Sequence, residues 1–241
     1  MERPRGWALW HRALGSPRYI ASPMVDQSER PFRSLTRAYG ADVCYTPMLH
    51  ARAFAEDAGY RRKHRDWDAQ GSEGGPLFVQ LGGSDASELL AAALLVHTSV
   101  DAVCLNLGCP EDCARRGKYG SYLLEEPEGE ATALATMAAW SRSLRCGVCV
   151  KIRLFSDDRR APGSGVARSV ALCKALAAAG ADIIVVHGRT RRQTRKHTGA
   201  ADWTAIAAIV AAVDVPVVAN GGIASASDVV RCFVATGVAA V

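Results

Sequence analysis

A cysteine stands at the end of an apolar run: Asn106-Leu107-Gly108-Cys109-Pro110 follows directly on Val100-Asp101-Ala102-Val103-Cys104-Leu105. Next comes a basic, glycine-containing loop, Glu111-Asp112-Cys113-Ala114-Arg115-Arg116-Gly117-Lys118-Tyr119-Gly120. A thiol just past a buried strand, ahead of a proline and beside cations, sits where parallel α/β barrels hold their reacting groups. A nearby cation lowers a thiol's pKa, so the chemistry suggested is proton transfer by Cys109 near neutrality. An inert buried cysteine is the competing reading.

Other strand ends carry groups that suit the same mouth. Ser22-Pro23-Met24 offers a rigid apolar edge to a flat ring, and Gln80 and Asn106 bring amides. Lys151 and Arg153 bring cations, and His187-Gly188-Arg189-Thr190-Arg191 an imidazole and guanidiniums. In Asn220-Gly221-Gly222 the glycines let backbone N–H groups approach a phosphate, and the helix after Ser225 adds its positive end. Together these groups suit a phosphorylated planar cofactor. Singly, each has a plainer role: a snorkelling Lys151, a His187 bonded inside the barrel, an ordinary Gly-Gly turn, a Gln80 satisfying a neighbouring strand. Two basic runs flank the mouth: Arg115, Arg116 and Lys118, then Arg189, Arg191, Arg192, Arg195, Lys196 and His197. They suit phosphate contacts, or are solvated loops.

Positioning these residues requires strands alternating with helices. Strands are expected at 19–21, 42–45, 77–81, 102–105, 148–153, 183–186, 216–219 and from Ala239 onward. Asp85-Ala86-Ser87-Glu88 opens a helix with Leu89, Leu90, Ala93, Leu94 and His97 on recurring faces. Val166, Val170, Cys173, Leu176 and Ala177 form a second stripe, stopped by Gly180. A last helix starts at Ser225 or Ser227, runs through Val229, Val230 and Phe233, and is closed by Gly237. This alternation predicts parallel pairing and an α/β (β/α)8 TIM barrel. The absence of GxGxxG after the first strand argues against a dinucleotide-binding sheet. Because the chain ends at Val241, the eighth strand is expected to be missing.

The 241 residues fit one such domain. With 29 Lys+Arg against 24 Asp+Glu, a net charge of +5 is compatible with an anionic partner without identifying one. No apolar run reaches membrane-spanning length, and the first residues lack a signal peptide's apolar stretch. The expected location is intracellular, cytoplasmic or nuclear, with the eight cysteines as reduced thiols. Cys146-Gly147-Val148-Cys149 has CxxC spacing but leads straight into a strand, so it reads as core or edge rather than zinc or redox chemistry, and no metal is expected.

The motifs also carry a family likeness. Gly15-Ser16-Pro17-Arg18-Tyr19-Ile20, Pro23-Met24-Val25-Asp26-Gln27-Ser28-Glu29 and Cys44-Tyr45-Thr46-Pro47-Met48-Leu49-His50 precede the Asn-x-Gly-Cys-Pro element. Arg115-Arg116-Gly117-Lys118-Tyr119-Gly120, Lys151-Ile152-Arg153, His187-Gly188-Arg189-Thr190 and Ala219-Asn220-Gly221 follow it. In this order the chain resembles the tRNA-dihydrouridine synthases, flavoenzymes with an FMN-binding barrel, and among them the eukaryotic branch acting on positions 16 and 17 of the tRNA D-loop. The resemblance implies an FMN-binding catalytic domain over residues 1–241, incomplete at its carboxyl end. There the family continues with an eighth strand, a second phosphate-binding turn and a helical domain that grips tRNA.

The implied reaction reduces uridine to 5,6-dihydrouridine, with hydride from reduced FMN to C6 and a proton from Cys109 to C5. Pro23, Met24, Gln80, Asn106, Lys151, His187, Asn220, Gly221 and Gly222 match cofactor positions. Arg115, Arg116, Lys118, Arg189 and Arg191 are the candidate RNA contacts, and Cys113 is a bystander. NADPH or NADH is the implied reductant, tRNA the partner and a monomer the expected state. Two alternatives stand beside this reading: an FMN barrel acting on a free pyrimidine, as dihydroorotate-type dehydrogenases do, and a non-catalytic RNA-binding fragment.

Overall fold

The computed structural model describes residues 3–67, 74–157, 160–194 and 198–241. Seven strands form one sheet in chain order: β1 (Ile20–Ala21), β2 (Val43–His50), β3 (Leu77–Gly82), β4 (Ala102–Leu107), β5 (Gly147–Leu154), β6 (Ile183–Thr190) and β7 (Val217–Asn220). All neighbours pair in parallel. The longer connecting helices are α1 (Arg30–Ala38), α2 (Ala86–Leu94), α3 (Gly129–Ser143), α4 (Ser164–Ala179), α5 (Trp203–Val210) and α6 (Ala226–Thr236).

Local signals account for the helix ends. The Asp85 carboxylate accepts the N–H groups of Ser87 and Glu88 ahead of α2, and Ser225 caps α6 through the N–H of Asp228. Gly180 and Gly237 close α4 and α6 at φ of 114° and 68°, where a side chain is strained. Helix α2 stops at Leu94, so His97 lies in the turn beyond it. Strands β2, β4 and β6 outrun the expected segments, reaching His50, Leu107 and Thr190. Their polar rim residues end the apolar run without ending the backbone ladder.

Residues 239–241 are expected to begin an absent strand, yet its first residues are already in place. The N–H of Ala239 donates to Val217 O and that of Ala219 to Ala240 O, each at 2.9 Å. On the other side Val241 N–H donates to Arg18 O at 3.0 Å, and Ile20 N–H to Val241 O at 2.9 Å. A short extended segment thus bridges β7 to the start of β1, with one parallel bridge between Val218 and Ala240. Three extended residues suffice to join the two edges, although they are too few to read as a strand.

A period of two sorts the side chains. Ala102 and Cys104 pack inside the curl, and Val103, Leu105 and Leu107 pack outward on the helices; β5 likewise points Val148, Val150 and Ile152 outward. The interior is apolar at the strands' amino ends, where Leu9, Trp10 and Leu14 of the N-terminal segment meet Val43, Phe78, Cys149, Ile183 and Val218. Burying each such large side chain contributes roughly 1.5–3 kcal/mol. Tyr45 fills the same interior, its hydroxyl 3.4 Å from Cys149 Sγ. Cys149 therefore belongs to the barrel core, and Cys146 is buried at its edge. The inward positions become polar only at the carboxyl end, in Gln80, Asn106, Lys151, Arg153, His187 and Asn220.

Candidate active site

That polar layer is held in register around the rim. Met48 lies opposite Gln80, Asn106 opposite Lys151, Arg153 opposite His187 and His187 opposite Asn220. Pro23, Gln80, Asn106, Cys109, Lys151, His187 and Asn220 line one cavity of about 320 Å³, together with Ser22, Met48 and Arg153. A second cavity of about 830 Å³ shares the Ser22, His187 and Asn220 walls and adds Met24, Gly221 and Gly222. The expected cofactor residues thus divide between two adjoining chambers.

Hydrogen bonds fix the layer. Asn106 Nδ2 donates to Gln80 Oε1 at 2.8 Å, and its Oδ1 accepts the N–H groups of Gly108 and Cys109, both at 2.9 Å. The Cys109 carbonyl accepts Ser121 Oγ at 2.8 Å and Ser121 N–H at 3.1 Å. Gly120 packs so closely, at φ 63°, that an added Cβ would meet Cys109 Cβ at 2.8 Å. Lys151 Nζ donates to Asn220 Oδ1 at 2.8 Å, and Asn220 Nδ2 donates to Ser22 Oγ at 3.0 Å. Arg153 ties the rim together, with Nε on Gly108 O at 3.0 Å and Nη1 on Thr190 O at 3.1 Å.

The electrostatics correct one expectation. Burial is the largest influence on the half-buried Cys109 thiol and raises its pKa; a hydrogen bond from the Glu111 backbone N–H and, to a lesser degree, the Arg153 charge oppose it. Arg115, Arg116 and Lys118 are exposed and do not depress it. Cys109 is therefore a protonated thiol at neutral pH. Burial brings Lys151 down to about 8, assisted by the Arg153 charge. It brings His187 down to about 3, with Lys151, Arg153 and Arg189 adding to the effect. His187 is accordingly neutral, and its Nε2 lies 3.3 Å from Arg189 Nη1, a donor. Proton donation from Cys109, beside amide, ammonium and neutral imidazole groups, is the chemistry this mouth can perform.

Among the basic candidates, Arg115, Lys118 and Arg191 line a groove of about 540 Å³ with Arg192, Tyr122 and Pro110, the neighbour of Cys109. Glu125 and Glu126 line it too: both Arg191 nitrogens pair with Glu125, and Lys118 Nζ lies 3.0 Å from Glu126. Arg191 also stacks 4.4 Å over Tyr122, whose hydroxyl donates to Pro110 O at 3.1 Å. Arg189 does not join this groove; it lines the second chamber and donates to Gly199 O. Arg116 is exposed on the short helix Asp112–Arg116 and lines neither the groove nor the two chambers. Arg195, Lys196 and His197 lie outside the described residues.

Sequence reasoning missed the roles of Met48, Gly120 and Ser121. Met48 Sδ lies 3.2 Å from Asn106 Nδ2, beyond a break in register that hides the strand's second half. The only available signal for the other two was a glycine-serine step after a basic loop.

Comparison with known proteins agrees with this architecture. The barrel likeness to solved structures includes a phosphonomutase-like protein from Burkholderia cenocepacia (TM-score 0.56, 15% identity, 95% of this chain and 87% of that one). It also includes FabK from Thermotoga maritima (TM-score 0.53, 14% identity, 95% and 59%). At such identities the likeness concerns the fold alone. In sequence, a tRNA-dihydrouridine(16/17) synthase-like protein of Rattus norvegicus is 41% identical over 99% of this chain and 52% of its own length. The tRNA-dihydrouridine(16/17) synthase of Saccharomyces cerevisiae is 39% identical over 97% and 53%. A tRNA-dihydrouridine(20a/20b) synthase-like protein of Mus musculus is 34% identical over 90% and 63%. This chain spans about half the length of the first two. The dihydrouridine synthase (Dus) family model matches residues 19–241, from the first strand through the bridging segment. By that match and those identities, the chain belongs to the dihydrouridine synthase family.

Proposed function

We propose that this chain forms the (β/α)8 catalytic barrel of an intracellular, monomeric tRNA-dihydrouridine synthase, which reduces uridine to 5,6-dihydrouridine at positions 16 and 17. The observation that carries the reading is the Cys109 thiol, clamped at a cavity lined by Gln80, Asn106, Lys151, His187 and Asn220. Greater identity to the 16/17 proteins than to the 20a/20b protein supports the choice of positions.

The residues fit FMN. Gln80 and Asn106 present amides and Lys151 an ammonium to a heterocycle edge, while Pro23 and Met24 supply apolar walls. Gly221 and Gly222 have φ of 91° and 82°, and a Cβ on Gly221 would meet the His187 ring at 2.7 Å, so the turn requires glycine and leaves backbone exposed in the second chamber. Bound FMN, reduced by NADPH or NADH, would supply the hydride for C6. Cys109 donates its proton to C5, and the thiolate then recovers a proton from water. Asn106 and Ser121 hold the loop so that the thiol meets its target, and burial keeps the thiol charged with its proton. The target base must leave its stack to reach this cavity. The Arg115–Arg192 groove beside Pro110 suits the flanking phosphates.

The test is incubation with FMN, NADPH and unmodified tRNA, followed by mass spectrometry of nucleosides and mapping of positions 16 and 17. Dihydrouridine formation that persists unchanged in Cys109→Ala overturns the role of the thiol. Turnover of free uracil or orotate without tRNA would instead favour a free-pyrimidine enzyme.

A further inference from the structure

Four arginines meet in a concavity at the amino ends of β5 and β6, on the face opposite Cys109. Arg3, Arg5, Arg142 and Arg145 line it with Ser141 and Ser143, around about 890 Å³. One buried carboxylate serves the first two: Arg3 Nη1 lies 2.5 Å from Asp182 Oδ2, and Arg5 Nε 2.6 Å from Oδ1. Asp182 also accepts the N–H groups of Gly6 at 3.3 Å and Val148 at 2.9 Å, so its acceptor sites are largely committed. Arg3 is only 11% exposed in its side chain, and its Nε and Nη2 are buried with no acceptor.

The neighbouring groups do not remove this imbalance. Arg142 and Arg145 are exposed and make no salt bridge among the described residues. Asp101, whose charge opposes that of Arg3 at the Cys146 thiol, has Oδ2 engaged by the Leu77 N–H at 2.8 Å. His97 accepts the Arg145 N–H on Nδ1, and burial and Arg145 both disfavour its protonation. Of the four guanidiniums only those of Arg3 and Arg5 meet a carboxylate, Arg5 Nη2 donating also to Gly180 O at 2.9 Å, and two buried Arg3 donors have no acceptor. Buried N–H groups without acceptors are costly, and guanidinium forks match phosphate oxygens in geometry and charge.

We propose that this concavity binds a phosphate group, which bridges Arg3 and Arg5 of the N-terminal segment to Arg142 in the last turn of α3 and Arg145 just after it. Occupancy would secure the Leu9, Trp10 and Leu14 plug against the barrel, and the site is independent of the flavin chambers on the other face. Inorganic phosphate is the probe, titrated against chloride at matched ionic strength while thermal unfolding is followed. At ten times its Kd, phosphate should raise the Tm by about 3 °C. The double variant Arg142→Ala/Arg145→Ala, which alters only exposed side chains, should lose that rise while retaining FMN as the wild type does.

A rise that survives in the double variant, or no rise over chloride in the wild type, overturns the proposal. Joint loss of the rise and of FMN also overturns it, because the two faces would then not be separate sites. Failure of the flavin reading alone would appear as a colourless wild-type protein whose phosphate response is intact. Ribose 5-phosphate acting at lower concentration than inorganic phosphate assigns the site to phosphomonoesters, and the opposite order assigns it to the free ion. Both orders support a phosphate site.

Discussion

Asn106 Oδ1 accepts the backbone N–H of Cys109 at 2.9 Å, while the Asn106 amide nitrogen donates to Gln80 at 2.8 Å. One buried side chain thus couples the position of the thiol to the polar rim of the cavity. Asn106→Ala removes the acceptor for Gly108 and Cys109 and leaves Gln80 Oε1 without that donor. Misplacing a reacting group by about 1 Å costs on the order of 100-fold in rate, and a buried group left unpaired costs about 1–3 kcal/mol. We expect dihydrouridine formation to fall by roughly 10- to 100-fold and unfolding free energy by about 1–3 kcal/mol. Single-turnover kinetics and denaturant titration measure the two separately. An Asn106→Ala enzyme with wild-type rate would refute the clamp.

The raised pKa of Cys109 has a chemical signature. Only the thiolate is alkylated readily. At pH 7.5 the exposed Cys113 should therefore react with iodoacetamide before Cys109, as peptide mass spectrometry can follow. The folded thiol holds its proton above the ordinary value of 9.0. Its contribution to stability is therefore present below pH 9 and is lost as pH rises through the folded value. Preferential alkylation of Cys109 at pH 7.5 would show an activated thiolate and count against an acid role.

Much of this frame is legible in residues alone. Apolar runs locate the strands, glycine stops close the helices between them, and the polar residues at the strands' carboxyl ends are the candidate site. What escapes is distance across the ring. No local pattern says that Gly120 abuts Cys109, that Arg153 joins two strand ends, or that Arg189 turns away from its basic neighbours. The direction of the Cys109 shift escapes for the same reason, because burial is a property of the assembled rim and adjacent cations are visible in sequence.

Lys151 carries a cost that substitution can reveal. Its pKa falls from 10.5 to about 8, so between those values the unfolded chain holds a proton that the folded chain has released. Stability from this group rises with pH across that window, and below pH 8 the fold bears the full penalty of a buried ammonium. Lys151→Met should stabilise the flavin-free protein at pH 7 by roughly 1–2 kcal/mol, less than the full shift because the bond to Asn220 is lost. The same variant should retain less FMN after gel filtration. A destabilised variant that still retains FMN would reverse both assignments.

The groove beside Pro110 makes opposite predictions for its two signs of charge. Arg192 lines it and is exposed, whereas both nitrogens of Arg191 are already engaged by Glu125. Each phosphate contact to RNA releases counterions, so the dependence of affinity on salt reports the number of such contacts. Arg192→Ala should weaken tRNA binding and reduce the slope of log K against log salt by about one. Glu125→Gln should tighten binding, because it frees Arg191 and removes a negative charge from the phosphate path. Filter binding at several salt concentrations measures both effects. If Arg192→Ala leaves the slope unchanged and Glu125→Gln weakens binding, the RNA path runs elsewhere on the barrel.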